Sequence, residues 1–356
     1  MRVRYSAIAA ALSLAYLVPA QAQSNADTYQ YGTGNKAYTE QDASPGSNAY
    51  TVQVGNDNKA GDPGTASVSP TDGGILQQSS AGAAAYVQQF GNGNTGMVQQ
   101  KNETGGVGSV YQSGNDNQGL VYQTGSNNQG YVSQYNGTVN SFGQVDQAGS
   151  SNFGSVEQTS SNNVNAYIYQ NGSSNSGRTT QDNSSYSGAY VYQYGTSNTA
   201  LVDQRNGTFN SYGSIYQNGT SNDATVKQSN ASWSSSWIDQ VGTSNKAESE
   251  QTNVYSAGSG IWQDGSANTA KVNQHDGGNL YSYVSQVGNA NDASVTQSGW
   301  ANQSEILQNG NANKATMTQY GTGAAFNTAY IHQTGNGFTA STTQNGSGNA
   351  SGIYQH

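Results

Sequence analysis

Three histidines, no cysteine and a thin scatter of carboxylates are the residues of this 356-residue chain that could make or break bonds. His275 is followed by Asp276, a pair able to share a proton, but no serine or cysteine stands at a fixed spacing to complete a nucleophilic arrangement. His332 and His356 stand apart from it. Gly-Asn-Asp-Asn at Gly55 and again at Gly114 has a faint likeness to calcium-binding nonapeptides, which need a nine-residue period and a recurrent aspartate. Neither is present. The glycine-rich segments neither follow a hydrophobic strand nor open a helix, so they are not phosphate loops. The chain is expected to be no enzyme and to hold no cofactor and no metal. Its chemistry is hydrogen bonding, and the groups that carry it are amides.

Glutamine recurs along nearly the whole length. From Gln89 it passes Gln100, Gln112, Gln123, Gln134, Gln147, Gln158, Gln170, Gln181, Gln193, Gln204, Gln217 and Gln228. It goes on through Gln240, Gln251, Gln263, Gln274, Gln286, Gln297, Gln308, Gln319, Gln333, Gln344 and Gln355, in steps mostly of 11 or 12. An asparagine follows five residues after many of them: Asn175, Asn198, Asn222, Asn245, Asn268, Asn291, Asn313 and Asn349. The unit Gln193-Tyr-Gly195-Thr-Ser-Asn198-Thr-Ala200-Leu-Val202-Asp-Gln204 shows the full grammar. Ala200, Val202 and Gln204 alternate with variable residues, the period of a strand with one face inward.

Gly-x-x-Asn supplies a corner, because Gly and Asn tolerate positive φ and the Asn amide satisfies turn groups. Each unit reads as strand, tight corner, strand, looser arc, and cannot bury its inward face alone. Stacking solves this. Coils laid about 4.8 Å apart place Gln over Gln and Asn over Asn, so buried amides partner one another. The expected fold is all-β: a β-solenoid of stacked strand-turn-strand coils, cross-β in character, with about 13 two-strand repeats of 22–24 residues.

Composition agrees. Only 9% of residues are charged and 33% hydrophobic, too few for a helical bundle or a parallel α/β enzyme. A disordered chain of this composition would need neither a fixed phase nor Val or Ile two residues before Gln. Residues 1–22 read as a secretory signal peptide: Arg2 and Arg4, the apolar run Ala7–Val18, then Ala20-Gln21-Ala22. Without them 9 basic and 20 acidic residues remain, an acidic balance that argues against nucleic acid. No other stretch could span a bilayer. Residues 23–84 read as divergent repeats, with Pro63 and Pro70 in an irregular stretch, Thr65 on a rung where Gln is due, and weakened pairing between Gln53 and Gln89. Residues 85–356 read as tandem repeats.

Ser187-x5-Gln193-x4-Asn198-x5-Gln204 resembles the curlin repeat of bacterial curli subunits. The pattern recurs at Ser24/Gln30/Asn35/Gln41, Ser141/Gln147/Asn152/Gln158, Ser211/Gln217/Asn222/Gln228 and Ser234/Gln240/Asn245/Gln251. The resemblance implies an extracellular functional amyloid of the biofilm, polymerised end to end. It implies as partners the chain itself, a minor curlin-like nucleator, and an outer-membrane export pore with its chaperones. The chain has more repeats than the familiar major subunits, and only Gln23 separates the signal from the first repeat, where they carry an Asn/Gly-rich targeting segment.

Tyr111, Tyr122, Tyr169, Tyr192, Tyr216 and Tyr354 precede ladder glutamines and are expected to face outward. So are Lys36, Lys59, Lys246 and Lys314, which follow corner asparagines and act as gatekeepers against premature assembly. Two other functions compete with the fibre. A monomeric solenoid adhesin would use the outward Tyr and Trp residues on polysaccharide or surfaces. A polysaccharide lyase would need clustered acidic and basic groups, which are missing. A monomer also needs capped ends, whereas Ser351–His356 stays on the strand pattern.

Overall fold

Alternation of small or branched residues with polar ones over 7–10 positions produces short strands, and Gly-centred corners turn them back on themselves. In a computed structural model, which describes residues 23–62, 64 and 68–356, about 77% of the described residues are strand and none of them is helix. Residues 1–22, expected from sequence to be a signal peptide, and Thr65 lie outside the described residues. The strands stack in parallel as a β-solenoid of about 14 turns, roughly 65 Å tall at the usual strand spacing. Among the described residues no helix is long and apolar enough to cross a membrane.

Each coil contributes one strand to each of two sheets. In the first, Gln193's neighbours Gln181 and Gln204 stack with Gln158 and Gln228; in the second, Gln193 itself stacks between Gln170 and Gln217. The register places like residue over like residue: Val191 on Ile215, Val202 on Val226, Gly195 on Gly219. Between the sheets lies one continuous core, with Val110, Val156, Ile168, Val202, Val226, Ile238, Val272 and Val295 all at most 1% exposed. Burying each such side chain is worth about 1.5–3 kcal/mol. The facing expected from sequence holds, because Leu201, Thr225 and Ser294 are partly exposed and Lys271 is exposed.

Two expectations need correction. The proline-containing stretch does not weaken the pairing of Gln53 with Gln89. Strand Asn48–Asn56 stacks on Ala84–Asn92 in unbroken register, Gln41 stacks on Gln77, and the chain leaves the coil at Gly61 and rejoins it at Gly73, the Gly61 N–H donating to the Asp72 carbonyl (2.7 Å). The ladders run directly from Gln41 to Gln77 and from Gln53 to Gln89, and the expected rung at Thr65 lies outside the described residues. The second correction concerns the corner. Positive φ falls on Gly195 (102°) and on Ser197 (57°), the residue before the asparagine, not on Asn198. The asparagine is spared for another task.

Candidate functional site: amide columns and terminal coils

Each inward glutamine Nε2 has two protons, and away from the terminal coils both are used. Gln193 donates one to Gln217 Oε1 (2.9 Å) and one to the Ser176 carbonyl (3.1 Å) across the coil. The same bond joins Gln170 to Gln193, Gln217 to Gln240, Gln240 to Gln263, Gln263 to Gln286 and Gln286 to Gln308 at 2.7–2.9 Å. In the other sheet Gln181, Gln204, Gln228, Gln251, Gln274, Gln297, Gln319 and Gln344 continue the second ladder at 2.8–2.9 Å. A lone buried amide would cost several kcal/mol; here every coil supplies the partner of the next.

Corner asparagines form a third column. Asn198 accepts nothing from solvent: its backbone N–H and Nδ2 donate to Asn175 Oδ1 (3.1 and 3.2 Å), and Nδ2 donates also to the Gly219 carbonyl (3.0 Å). Asn128, Asn152, Asn175, Asn222, Asn245, Asn268, Asn291 and Asn313 repeat this position, each at most 1% exposed. Opposite them, on the far edge of the solenoid, runs the wide arc. There Ser141, Val164, Ser187, Ser211, Ser234, Ala257 and Leu280 share one stacked position, so hydroxyl and apolar groups interchange.

The tight corner changes sides along the chain. In the first coils the buried asparagines Asn58, Asn94 and Asn117 follow the first sheet. From Asn128 to Asn313 they follow the second. At the end they return to the first, with Asn327 Nδ2 on Asn302 Oδ1 and Asn349 Nδ2 on Asn327 Oδ1 (both 3.0 Å). Sequence spacing registered these asparagines singly and missed the change of side.

It missed Glu103 too. This carboxylate is fully buried at the foot of the long asparagine column, where Oε1 accepts the Asn128 N–H and Oε2 accepts its Nδ2 (both 3.0 Å). Burial pushes its pKa above the ordinary carboxylate range, and the bonds from Asn128 pull the other way. A lone acid in a unit without Gly-x-x-Asn is the only sequence signal it leaves.

Outside, the tyrosines stack as expected: Tyr169 on Tyr194 at 5.5 Å and Tyr194 on Tyr216 at 5.6 Å between ring centres. Lys246 and Lys314 lie exposed beside Asp223 and Asp292 of the preceding coil (3.9 and 3.2 Å). His275 Nδ1 meets Asp276 Oδ2 at 3.1 Å on the exposed arc, and His332 meets Glu305 at 2.8 Å. Neither histidine bonds a serine or threonine hydroxyl among the described residues. Among the described residues no group of three or more His, Asp and Glu is placed to hold a metal ion.

Comparison with known families gives one match. The family described as curlin associated repeat matches residues 276–299 and 288–321, covering four rungs of the ladders. No curated protein matches the chain.

Proposed function

Given a chain that carries curlin repeats, we propose that it is a secreted structural subunit that assembles end to end into extracellular amyloid fibres for biofilm matrix and surface adhesion. One observation carries this reading: the last coil fits the first. The last coil holds Gln344, Asn349 and Gln355, and the first holds Gln30, Asn35 and Gln41 in the same three columns. Because the tight corner returns to its original side, Asn349 falls in line with Asn35, which a solenoid keeping its middle pattern to the end would not allow. Polarity fits as well. Nε2 of Gln344 and of Gln355 each keeps one donor after bonding Thr328 and Thr339. Gln30 and Gln41 each present an Oε1 with no donor among the described residues. Donors at one end face acceptors at the other, a heterologous contact that propagates without closing.

Secretion rests on the basic-apolar-small pattern of residues 1–22, and a curlin-like nucleator, an export pore and chaperones are its natural partners. The test is seeded growth. Gln344→Ala with Gln355→Ala should slow elongation on the order of tenfold, two orphaned buried bonds' worth. Gln228→Ala with Gln251→Ala, whose partners lie within the same chain, should slow it less. Equal slowing removes the end-to-end contact, and a chain that stays monomeric for days at tens of micromolar favours the solitary adhesin.

A further inference from the structure

We propose that the wide arc between residues 186 and 300 is a binding ridge for a neutral polysaccharide chain lying parallel to the solenoid axis. Two adjacent rows of the arc carry it. In one, Asn163, Tyr186, Asn210, Trp233, Ser256 and Asn279 stack, all with φ between 47° and 54°. In the other, Ser185, Phe209, Ser232, Tyr255, Gly278 and Trp300 stack. From Tyr186 through Phe209 and Trp233 to Tyr255 the rings fall alternately in the two rows, one per coil; the coil of Gly278 and Asn279 has none, and Trp300 follows in the row of Tyr255. The five rings are 38–57% exposed, and the first three are in contact, Tyr186 to Phe209 at 5.7 Å and Phe209 to Trp233 at 6.0 Å. Five coil steps make a ridge roughly 24 Å long.

The fold does not require these rings. A left-handed backbone is unfavourable for any residue with a Cβ, and Asn is the residue that tolerates it best. Neighbouring coils place Asn163, Asn210 and Asn279 there, whereas Tyr186 and Trp233 accept the strain and stay exposed. Trp300 also leans across Gly278, where a Cβ would lie 2.5 Å from its ring. Strain held at an exposed aromatic row marks a site.

Beside the ridge runs a polar ladder: Asn230 Nδ2 donates to Asn253 Oδ1 (3.0 Å), and Asn253 Nδ2 donates to Asp276 Oδ1 (2.9 Å). Between ladder and ridge lies a groove of about 370 Å³, walled by Ser232, Tyr255 and Trp300 on one side and by Asn230, Asn253 and Asp276 on the other. Apolar rings with a few fixed polar groups are what a sugar chain needs: C–H faces stack on the rings while hydroxyls donate to and accept from amide and carboxylate. Asp276, with no lysine or arginine lining the groove, disfavours a polyanion. A second copy of this chain is disfavoured by the same groups, because dry packing would desolvate the Asp276 carboxylate and strand the unused hydrogen-bonding capacity of Asn230 and Asn253.

The test uses a five-fold variant: Tyr186→Asn, Phe209→Ser, Trp233→Asn, Tyr255→Ser and Trp300→Thr. Each new residue already stands in the same row of a neighbouring coil, so the solenoid is retained. Retardation of the full chain in native gels containing hydroxyethyl cellulose reads binding to a neutral glycan, with alginate as the polyanion. The wild type should be retarded by hydroxyethyl cellulose and not by alginate, and the variant's affinity should drop by roughly tenfold or more. Trp237→Ser with Trp262→Ser, on the sheet face, should leave binding unchanged. An unretarded wild type, an unaffected ridge variant, a sheet-face variant that loses binding, or preference for alginate each overturns the proposal. So does a ridge variant that loses self-association, which would make a second copy the occupant. Seeded elongation of the ridge variant at the wild-type rate separates this site from the end-to-end contact.

Discussion

The two edges of the solenoid solve the same problem, reversing a strand, in opposite ways. On the tight edge, nine consecutive coils from Asn128 to Asn313 repeat one residue in one conformation, because each amide is the next one's partner. Backbones there approach so closely that side chains are excluded: a Cβ on Gly219 would lie 1.9 Å from the Gly242 carbonyl oxygen. On the wide edge, serine, valine, alanine and leucine share a column, and aromatic residues stand out into solvent. The tight edge holds the coils in register. The wide edge is free to vary, and binding surfaces arise where the scaffold permits variation.

Paired substitutions can break this contrast. The largest effect is expected at glycine. Gly219→Ala must push two backbones apart and should cost about 3 kcal/mol or more. Gly207→Ala on the wide arc meets nothing within 4 Å, and only its φ of 82° opposes it. It should cost about 1 kcal/mol in denaturant unfolding. Similar losses at both would mean the edges are equally constrained. Next comes Asn222→Ala, which strands the Asn245 N–H and the Gly242 carbonyl and should cost about 2–3 kcal/mol. Ser211→Ala should cost about 1 kcal/mol, since Ala257 already fills the same column two coils on.

The smallest expected effect is a pH dependence at Glu103. A carboxyl whose folded pKa lies above its unfolded value stabilises the fold while protonated; that contribution is complete below the unfolded value and lost as pH rises through the folded one. Glu103→Gln keeps an acceptor for Asn128 and cannot ionise. Its stability relative to wild type should therefore grow from acidic to neutral pH. A gap that is flat with pH, or that shrinks, would show that the two bonds from Asn128 outweigh the burial.

The solenoid was legible in sequence because its repeat is a stacking register: Gln, Asn and Val recur where identical residues must touch. What sequence hid lies where spacing and stacking part company. Spacing alone hid that Gln77, 24 residues after Gln53, is the glutamine that stacks on Gln41, while Gln53 stacks on Gln89. Positive φ fell on Ser197 rather than Asn198, because a buried ladder needs the asparagine amide more than the turn needs its backbone. The aromatic ridge was invisible because its rings are divided between two rows and become neighbours only once coils are stacked. Thr179 shows the limit of pattern in the core. It replaces valine, and its hydroxyl is buried without a partner, whereas Ser249 in the same column bonds Ser236 and Ser259.

Coil-on-coil growth makes a quantitative demand on the fibre. If chains stack end to end with their coils in one continuous ladder, each chain occupies about 14 strand spacings, roughly 65 Å of a single protofilament. Mass per length from unstained scanning transmission electron microscopy reads this directly. One chain per roughly 65 Å, or a small whole multiple for bundled protofilaments, is the expected result. One chain per roughly 4.8 Å would mean that each molecule lies flat as a single layer, and would contradict the account.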